Sequence, residues 1–164
     1  MNQANNNAIA IIASQFNQHI VKGLIDGATE ALRLRGVDAT QVLTYFVPGA
    51  YEIPLICQQV ARAGQVSGII ALGAVIQGET AHFEYVAGEC AKGISHVSLS
   101  ENIPISFGVL ATHTLEQALA RSTNDMHNKG HEAANALLDM LRLIDDIKKP
   151  TVQTENNSDR VETK

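Results

Sequence analysis

The stretch SGIIALGAVIQGETAHFEYV, Ser67–Val86, decides the fold. Ser67–Ile76 is an almost unbroken apolar run, the pattern of a strand buried on both faces. The run stops at Gln77-Gly78-Glu79-Thr80. From Ala81 onward, Phe83, Val86, Ala87, Cys90, Ile94 and Val97 recur at helical spacing. A buried strand that enters a helix through a short glycine turn is the unit from which parallel α/β sheets are built.

The same alternation continues on either side. AIAIIAS at 8–14, Gln41–Val47 and PISFGVL at 104–110 are further strand-like runs. Residues 20–35 place Val21, Leu24, Ile25, Ala28 and Leu32 on one helical face, and Gly36 follows as a stop. Further helices are expected from Ile53 to about Gly64, over Leu115–Asp125 and over His131–Ile147. The expected fold is α/β: a three-layer sandwich with a flavodoxin-like four-stranded parallel sheet and helices on both faces. The chain has 164 residues, enough for one domain with a substantial core. That domain is expected over 8–149, between a flexible N-terminus at 1–7 and a polar, disordered tail at 150–164.

Charged residues make up 18% of the chain, against about 25% in an average soluble protein. So few charges point to a surface covered by further copies of the chain. A formal net charge of −5 without a basic stripe argues against a nucleic-acid partner. The sequence contains no apolar run of about 18 residues, so no membrane span is expected. Cys57 and Cys90 lack a CxxC spacing, which fits reduced core thiols and a cytoplasmic location.

Ligands of parallel sheets bind outside the carboxyl ends of the strands. Four stretches qualify: Ser14–His19, Val47–Glu52, Val75–His82 and Leu110–Thr114. In Gln77–Thr80, glycine permits positive φ, and successive amides backed by the helix dipole suit a phosphate, with Thr80 able to donate its hydroxyl. An ordinary turn with Thr80 as N-cap is the commoner reading of such a stretch. His82 has the chemistry of a general acid–base near neutral pH, although a lone histidine is more often a solvated surface group. His-Phe-Glu at 82–84 lacks the downstream Pro-Cys-x-x-Cys of a zinc deaminase. In VPGAYEIP, Val47–Pro54, the Gly49-Ala50 backbone can meet the edge of a flat heterocycle and Glu52 can accept from hydroxyls; equally, Glu52 can serve a helix N-terminus. Phe16 can stack on a ring or join the core. His127 and His131 stand four residues apart with no third ligand evident, so no metal is expected. Arg121 and Lys129 are the cations of 119–131, each open to a solvated reading.

Taken together, the motifs resemble those of the lumazine synthase family over about residues 8–145. The likeness rests on FNQ at 16–18, VPGAYEIP at 47–54, ALGAVIQGETAHFEYV at 71–86, IPISFGVL at 103–110, LEQALAR at 115–121 and NKG at 128–130. It implies a cofactor-free condensation of 5-amino-6-ribitylaminouracil with 3,4-dihydroxy-2-butanone 4-phosphate. The product is 6,7-dimethyl-8-ribityllumazine, in riboflavin biosynthesis, and phosphate is released. By position, the resemblance makes His82 the proton-transfer residue and stacks Phe16 on the pyrimidine. Ala50, Tyr51 and Glu52 would line the ring and ribityl chain, with the backbone near Val75 and Ile76 holding the pyrimidine edge. Gly78, Glu79 and Thr80 would cradle the phosphate, with Arg121 adding charge. Phe107 and Lys129 would complete the pocket from an adjacent subunit, in an oligomer built from pentamers.

The sequence departs from the family pattern in two places. Gln77 stands where the family usually has arginine, and in STNDMHNKG, Ser122–Gly130, Asp125 and His127 replace a lysine and a glycine. Weaker phosphate affinity is the expected consequence. A flavin- or lumazine-binding scaffold with reduced catalysis is the competing reading. A flavodoxin-like electron carrier is disfavoured, because the chain has no Trp and the phosphate turn follows strand three instead of strand one.

Overall fold

A computed structural model describes residues 8–149; the stretches 1–7 and 150–164, expected to be flexible, lie outside the described residues. The strands are β1 Ile9–Ser14, β2 Val42–Val47, β3 Gly68–Ile76 and β4 Ile105–Thr112. They pair in parallel in the order β2-β1-β3-β4, with Ile12 opposite Tyr45 on one side and Ala71 on the other. The helices are α1 Gln18–Leu34, α2 Ile53–Ala63, α3 His82–Ser100, α4 Leu115–Leu119 and α5 Lys129–Lys148. This is the expected α/β sandwich.

Strand residues alternate between the two faces. Ile9, Ile11 and Ala13 of β1 join Ile70, Leu72 and Ala74 of β3 in a core layer closed by Leu24, Ala28 and Leu32 of α1 and Leu137 of α5. Ala10, Ile12, Ile69 and Ala71 form the opposite layer with Ile53 and Cys57 of α2 and Cys90, Ile94 and Val97 of α3. Both central strands are therefore apolar throughout, which is why they read as continuous runs and not as alternating ones. Gly36 has φ +82°, the left-handed conformation of the expected helix stop.

The helices α1 and α5 approach closely through small residues. A Cβ on Gly130 would lie 1.9 Å from the Leu24 carbonyl oxygen, and one on Gly27 would lie 2.2 Å from Asn128 Oδ1. Asn128 is buried and caps α5: its Oδ1 accepts from the N–H groups of Gly130 (2.8 Å) and His131 (3.1 Å). Its Nδ2 donates to the carbonyls of Gly23 (2.9 Å) and Thr123 (2.8 Å). One side chain thus ties α1, the loop before α5 and the start of α5 together.

Several element ends differ from the sequence reading. The helix expected over Leu115–Asp125 stops at Leu119, and α5 starts at Lys129 instead of His131. Local side-chain bonds end the short helix: the Ser122 and Thr123 hydroxyls donate to the Leu119 and Ala120 carbonyls. Asp125 accepts from Thr123 Oγ1 and from the His127 N–H. These two bonds, the Thr123 hydroxyl foremost, hold its carboxyl below the usual aspartate range. Gly130 begins the last helix, without breaking it, because Asn128 caps the turn. The helix α1 begins at Gln18 and α3 runs on to Ser100, while β4 continues to Thr112 through its pairing with Ile76.

Gly130→Ala is expected to cost roughly 3 kcal/mol of stability, because the new methyl meets backbone instead of a movable side chain; chemical denaturation measures it. A second outcome concerns the thiols. Burial pushes Cys57 and Cys90 up to about 12, with Cys90 adding to the effect at Cys57. Both are therefore protonated at mildly alkaline pH, where only a thiolate reacts. Ellman's reagent is expected to leave the native protein untouched and to titrate both thiols only after denaturant is added.

Candidate active site

In this strand order the chain leaves β1 toward β2 on one side and returns to β3 on the other. A crevice opens where the order reverses, at the carboxyl ends of β1 and β3. A cleft of about 700 Å³ lies there, and three of the four expected strand ends meet in it. Phe16, Ala50, Tyr51, Glu52, Val75, Ile76, Gly78, Thr80 and His82 all line it.

Phe16 follows directly from a fully buried strand, yet it is 71% exposed. Its backbone is nonetheless fixed. The Phe16 N–H donates to the Pro48 carbonyl at 3.0 Å, and Asn17 adopts a left-handed conformation at φ +57°. Asn17 Nδ2 donates to the Ala74 carbonyl at 2.9 Å, joining the β1–α1 turn to β3. An exposed ring on a fixed turn is a stacking platform and not a core residue. Asn17 was not identified as a site residue from the sequence. The available signal was its place after a strand, since asparagine is among the few residues that readily adopt this conformation.

After β2, Ala50–Glu52 forms a short 3-10 turn that leads into α2. Ala50 is buried, whereas Tyr51 is 60% exposed at the cleft wall. Glu52 Oε2 accepts from the Gly49 N–H at 2.9 Å. The carboxylate thus serves its own turn with one oxygen and faces the cleft with what remains. Val75 and Ile76, half-buried at the end of β3, form the floor.

The turn after β3 differs in detail from its sequence reading. Gly78 is not among the positive-φ glycines, and a Cβ placed on it would meet no atom within 4 Å. Its lack of a side chain leaves open space over the turn; it does not create a special backbone. Thr80 Oγ1 accepts from the His82 N–H at 3.4 Å, so it does cap the helix, although the residue at the boundary is Ala81. Glu79 is exposed and lies outside the cleft lining. His82 opens α3 and is exposed on the cleft side.

Neither lysine nor arginine lines this cleft. Arg121, Lys129 and Phe107 line a different groove, of about 600 Å³, between β4 and α5. The two cavities share no lining residue. Within the groove, the Lys129 N–H donates to the Arg121 carbonyl at 2.9 Å, which places the two cations side by side. Arg121 Nη1 donates to the Gln117 carbonyl at 2.9 Å, and Lys129 Nζ pairs with Glu132 at 2.6 Å. Phe107 is 48% exposed on this face. His127 and His131 do not form a helical pair: His127 is in the loop, and His131 Nδ1 lies 3.2 Å from Asn135 Nδ2 within α5. Among the described residues no group of three His, Cys, Asp or Glu side chains could hold a metal ion.

Comparison with known proteins agrees with this site. A family model described as 6,7-dimethyl-8-ribityllumazine synthase matches residues 6–145. A curated protein of that name from Leuconostoc mesenteroides subsp. mesenteroides is 48% identical over 143 residues, covering 87% of this chain and 92% of its own length. A crystal structure of a GDSL-like lipase from Bacteroides thetaiotaomicron aligns over 88% of this chain and 67% of its own. At a TM-score of 0.40 and 9% identity, that likeness is too slight to bear on function. With a family match over most of its length and a relative at nearly half identity, the chain belongs to the 6,7-dimethyl-8-ribityllumazine synthase family.

Proposed function

We propose that the chain condenses 5-amino-6-ribitylaminouracil with 3,4-dihydroxy-2-butanone 4-phosphate to give 6,7-dimethyl-8-ribityllumazine. The amine attacks the ketone and water leaves to form an imine; phosphate is then expelled, and the ribitylamino nitrogen closes the second ring. The observation that carries this reading is the cleft at the sheet's switch point, with an exposed Phe16 ring on one side and the Gly78–His82 turn on the other. Phe16 stacks on the pyrimidine, the backbone at Val75 and Ile76 holds its edge, and Ala50, Tyr51 and Glu52 line the ring and ribityl chain. Gly78, Glu79 and Thr80 hold the phosphate through the turn and the dipole of α3. His82, at the head of that helix, moves the protons.

The cleft has no fixed cation of its own, so a phosphate ester bound there needs charge from elsewhere. The groove that carries Phe107, Arg121 and Lys129 supplies it if it faces the cleft of a neighbouring copy. A ring of five with active sites between protomers satisfies that requirement. It also covers exposed apolar side chains such as Phe46, Leu99 and Ile147. No helix among the described residues is long and apolar enough to cross a membrane. The buried free thiols suit the cytoplasm, where this reading places the reaction.

Mixing the purified protein with both substrates and following lumazine fluorescence tests the reading directly. Binding of both without product would instead support the scaffold alternative. His82→Ala is expected to slow turnover by about 10²–10⁴-fold, the usual contribution of general acid–base catalysis. Activity should remain measurable, since holding two substrates together can be worth about 7–11 kcal/mol and does not depend on the imidazole. Complete loss of turnover with folding and binding intact would contradict that ranking. Sedimentation is expected to show a ring of five or a multiple of it; a stable monomer would overturn the shared site.

A further inference from the structure

The turn over Gln77–Ala81 has little around it. Gln77–Ala81 are exposed, and the space over Gly78 is open. Two contacts nevertheless anchor its start. The Gln77 N–H donates to the Thr112 carbonyl at 2.8 Å and extends the β3–β4 ladder by one residue. Beyond that, Gln77 Oε1 meets Nδ1 of His113, the residue that follows β4.

His113 is itself held from two further directions. Its backbone N–H donates to Gln117 Oε1 on α4 at 2.9 Å. Its ring packs against Phe83, with centroids 6.4 Å apart at 36°. Phe83 lines the cleft and is the residue after His82. The Gln117 carbonyl in turn receives the Arg121 guanidinium. A continuous set of contacts thus runs from the turn, through His113, to both the head of α3 and Arg121. A glutamine carbonyl oxygen only accepts, so the ring presents Nδ1–H to it. That fixes the tautomer.

We propose that Gln77 and His113 are a positioning pair for the phosphate end of the site. They hold the turn and the first residues of α3 in the arrangement that receives the phosphorylated substrate. The pyrimidine half of the cleft, built on Phe16, Val75 and Ile76, is fixed by other contacts and does not depend on the pair. This rests on the reading of the turn as the phosphate cradle.

The consequence is selective. Loss of one partner should weaken binding of the butanone phosphate and leave the pyrimidine nearly unaffected. Gln77→Ala and His113→Ala are each expected to raise KM for 3,4-dihydroxy-2-butanone 4-phosphate by roughly 3- to 10-fold, the range of one lost hydrogen bond, with KM for the pyrimidine within about twofold. His113→Asn keeps an amide N–H where Nδ1–H stood and is expected to restore most of the affinity. Independently of activity, nitrogen NMR of the labelled histidines is expected to show the Nδ1–H tautomer at His113, and to show its loss in Gln77→Ala. An Nε2–H tautomer in the native protein would overturn the pairing. So would an equal rise in both KM values, which a merely structural role would give, or an Asn variant as weak as the Ala variant. The expected tautomer in a protein that makes no lumazine would support the pairing and remove the phosphate reading of the turn.

Discussion

The constraint on which this molecule depends is that a parallel sheet, buried on both faces, exposes its working backbone at one edge only. Every strand arrives there pointing the same way, and no hairpin can pair the groups beyond the ladder. The chain meets that need one residue at a time: Gln15 N–H with the Val47 carbonyl, Phe16 N–H with Pro48 and Gln77 N–H with Thr112. The gap between β1 and β3 is bridged by a side chain, where Asn17 Nδ2 reaches the Ala74 carbonyl. That bond explains why Phe16 can be both exposed and fixed. It is also the contact that brings the strand-one turn beside the floor formed by Val75 and Ile76.

Charge is divided between two places. The cleft carries an aromatic platform, a carboxylate partly used by its own turn, an amide-rich helix start and an imidazole. The cations sit in the groove along β4 and α5. A phosphate ester gains from both the helix N-terminus and a guanidinium, and neither cavity offers the two together. The division makes a second copy of the chain a chemical requirement of the proposed reaction, beyond a matter of covering apolar surface.

The sheet and its layers were legible because burial on both faces leaves a mark on every residue of β1 and β3. AIAIIAS and SGIIALGAVI contain little else than apolar side chains, so length and turn residues sufficed to separate strand from helix. The crevice was legible too, since it follows from topology alone. The interior of the loop between α4 and α5 was not. Its apolar and polar residues permit a helix through Asp125, and what stops it is a set of hydroxyl-to-carbonyl bonds with no periodic signature. Gln77 was visible only as a missing cation, because its partner His113 is 36 residues away and no local pattern joins them. The role of Gly78 was misjudged for a related reason: glycine marks either unusual φ or open space, and sequence does not separate the two.

The shortness of α4 bears directly on the site. In a continuous helix from Leu115 to Asp125, the Arg121 carbonyl would be committed to the N–H of residue 125. Because the helix ends at Leu119, that carbonyl is free to accept from Lys129 N–H, eight positions along. Asn128 makes the closure possible by binding the Gly23 and Thr123 carbonyls while capping α5, against a stretch of α1 where Gly27 leaves room for it. The two cations are therefore adjacent through backbone geometry, although they are like charges that would otherwise separate. Glu132, paired with Lys129 from the next turn of α5, offsets part of that repulsion. An irregular loop held by one buried asparagine thus does what a regular helix could not: it delivers two positive side chains to one wall of the groove.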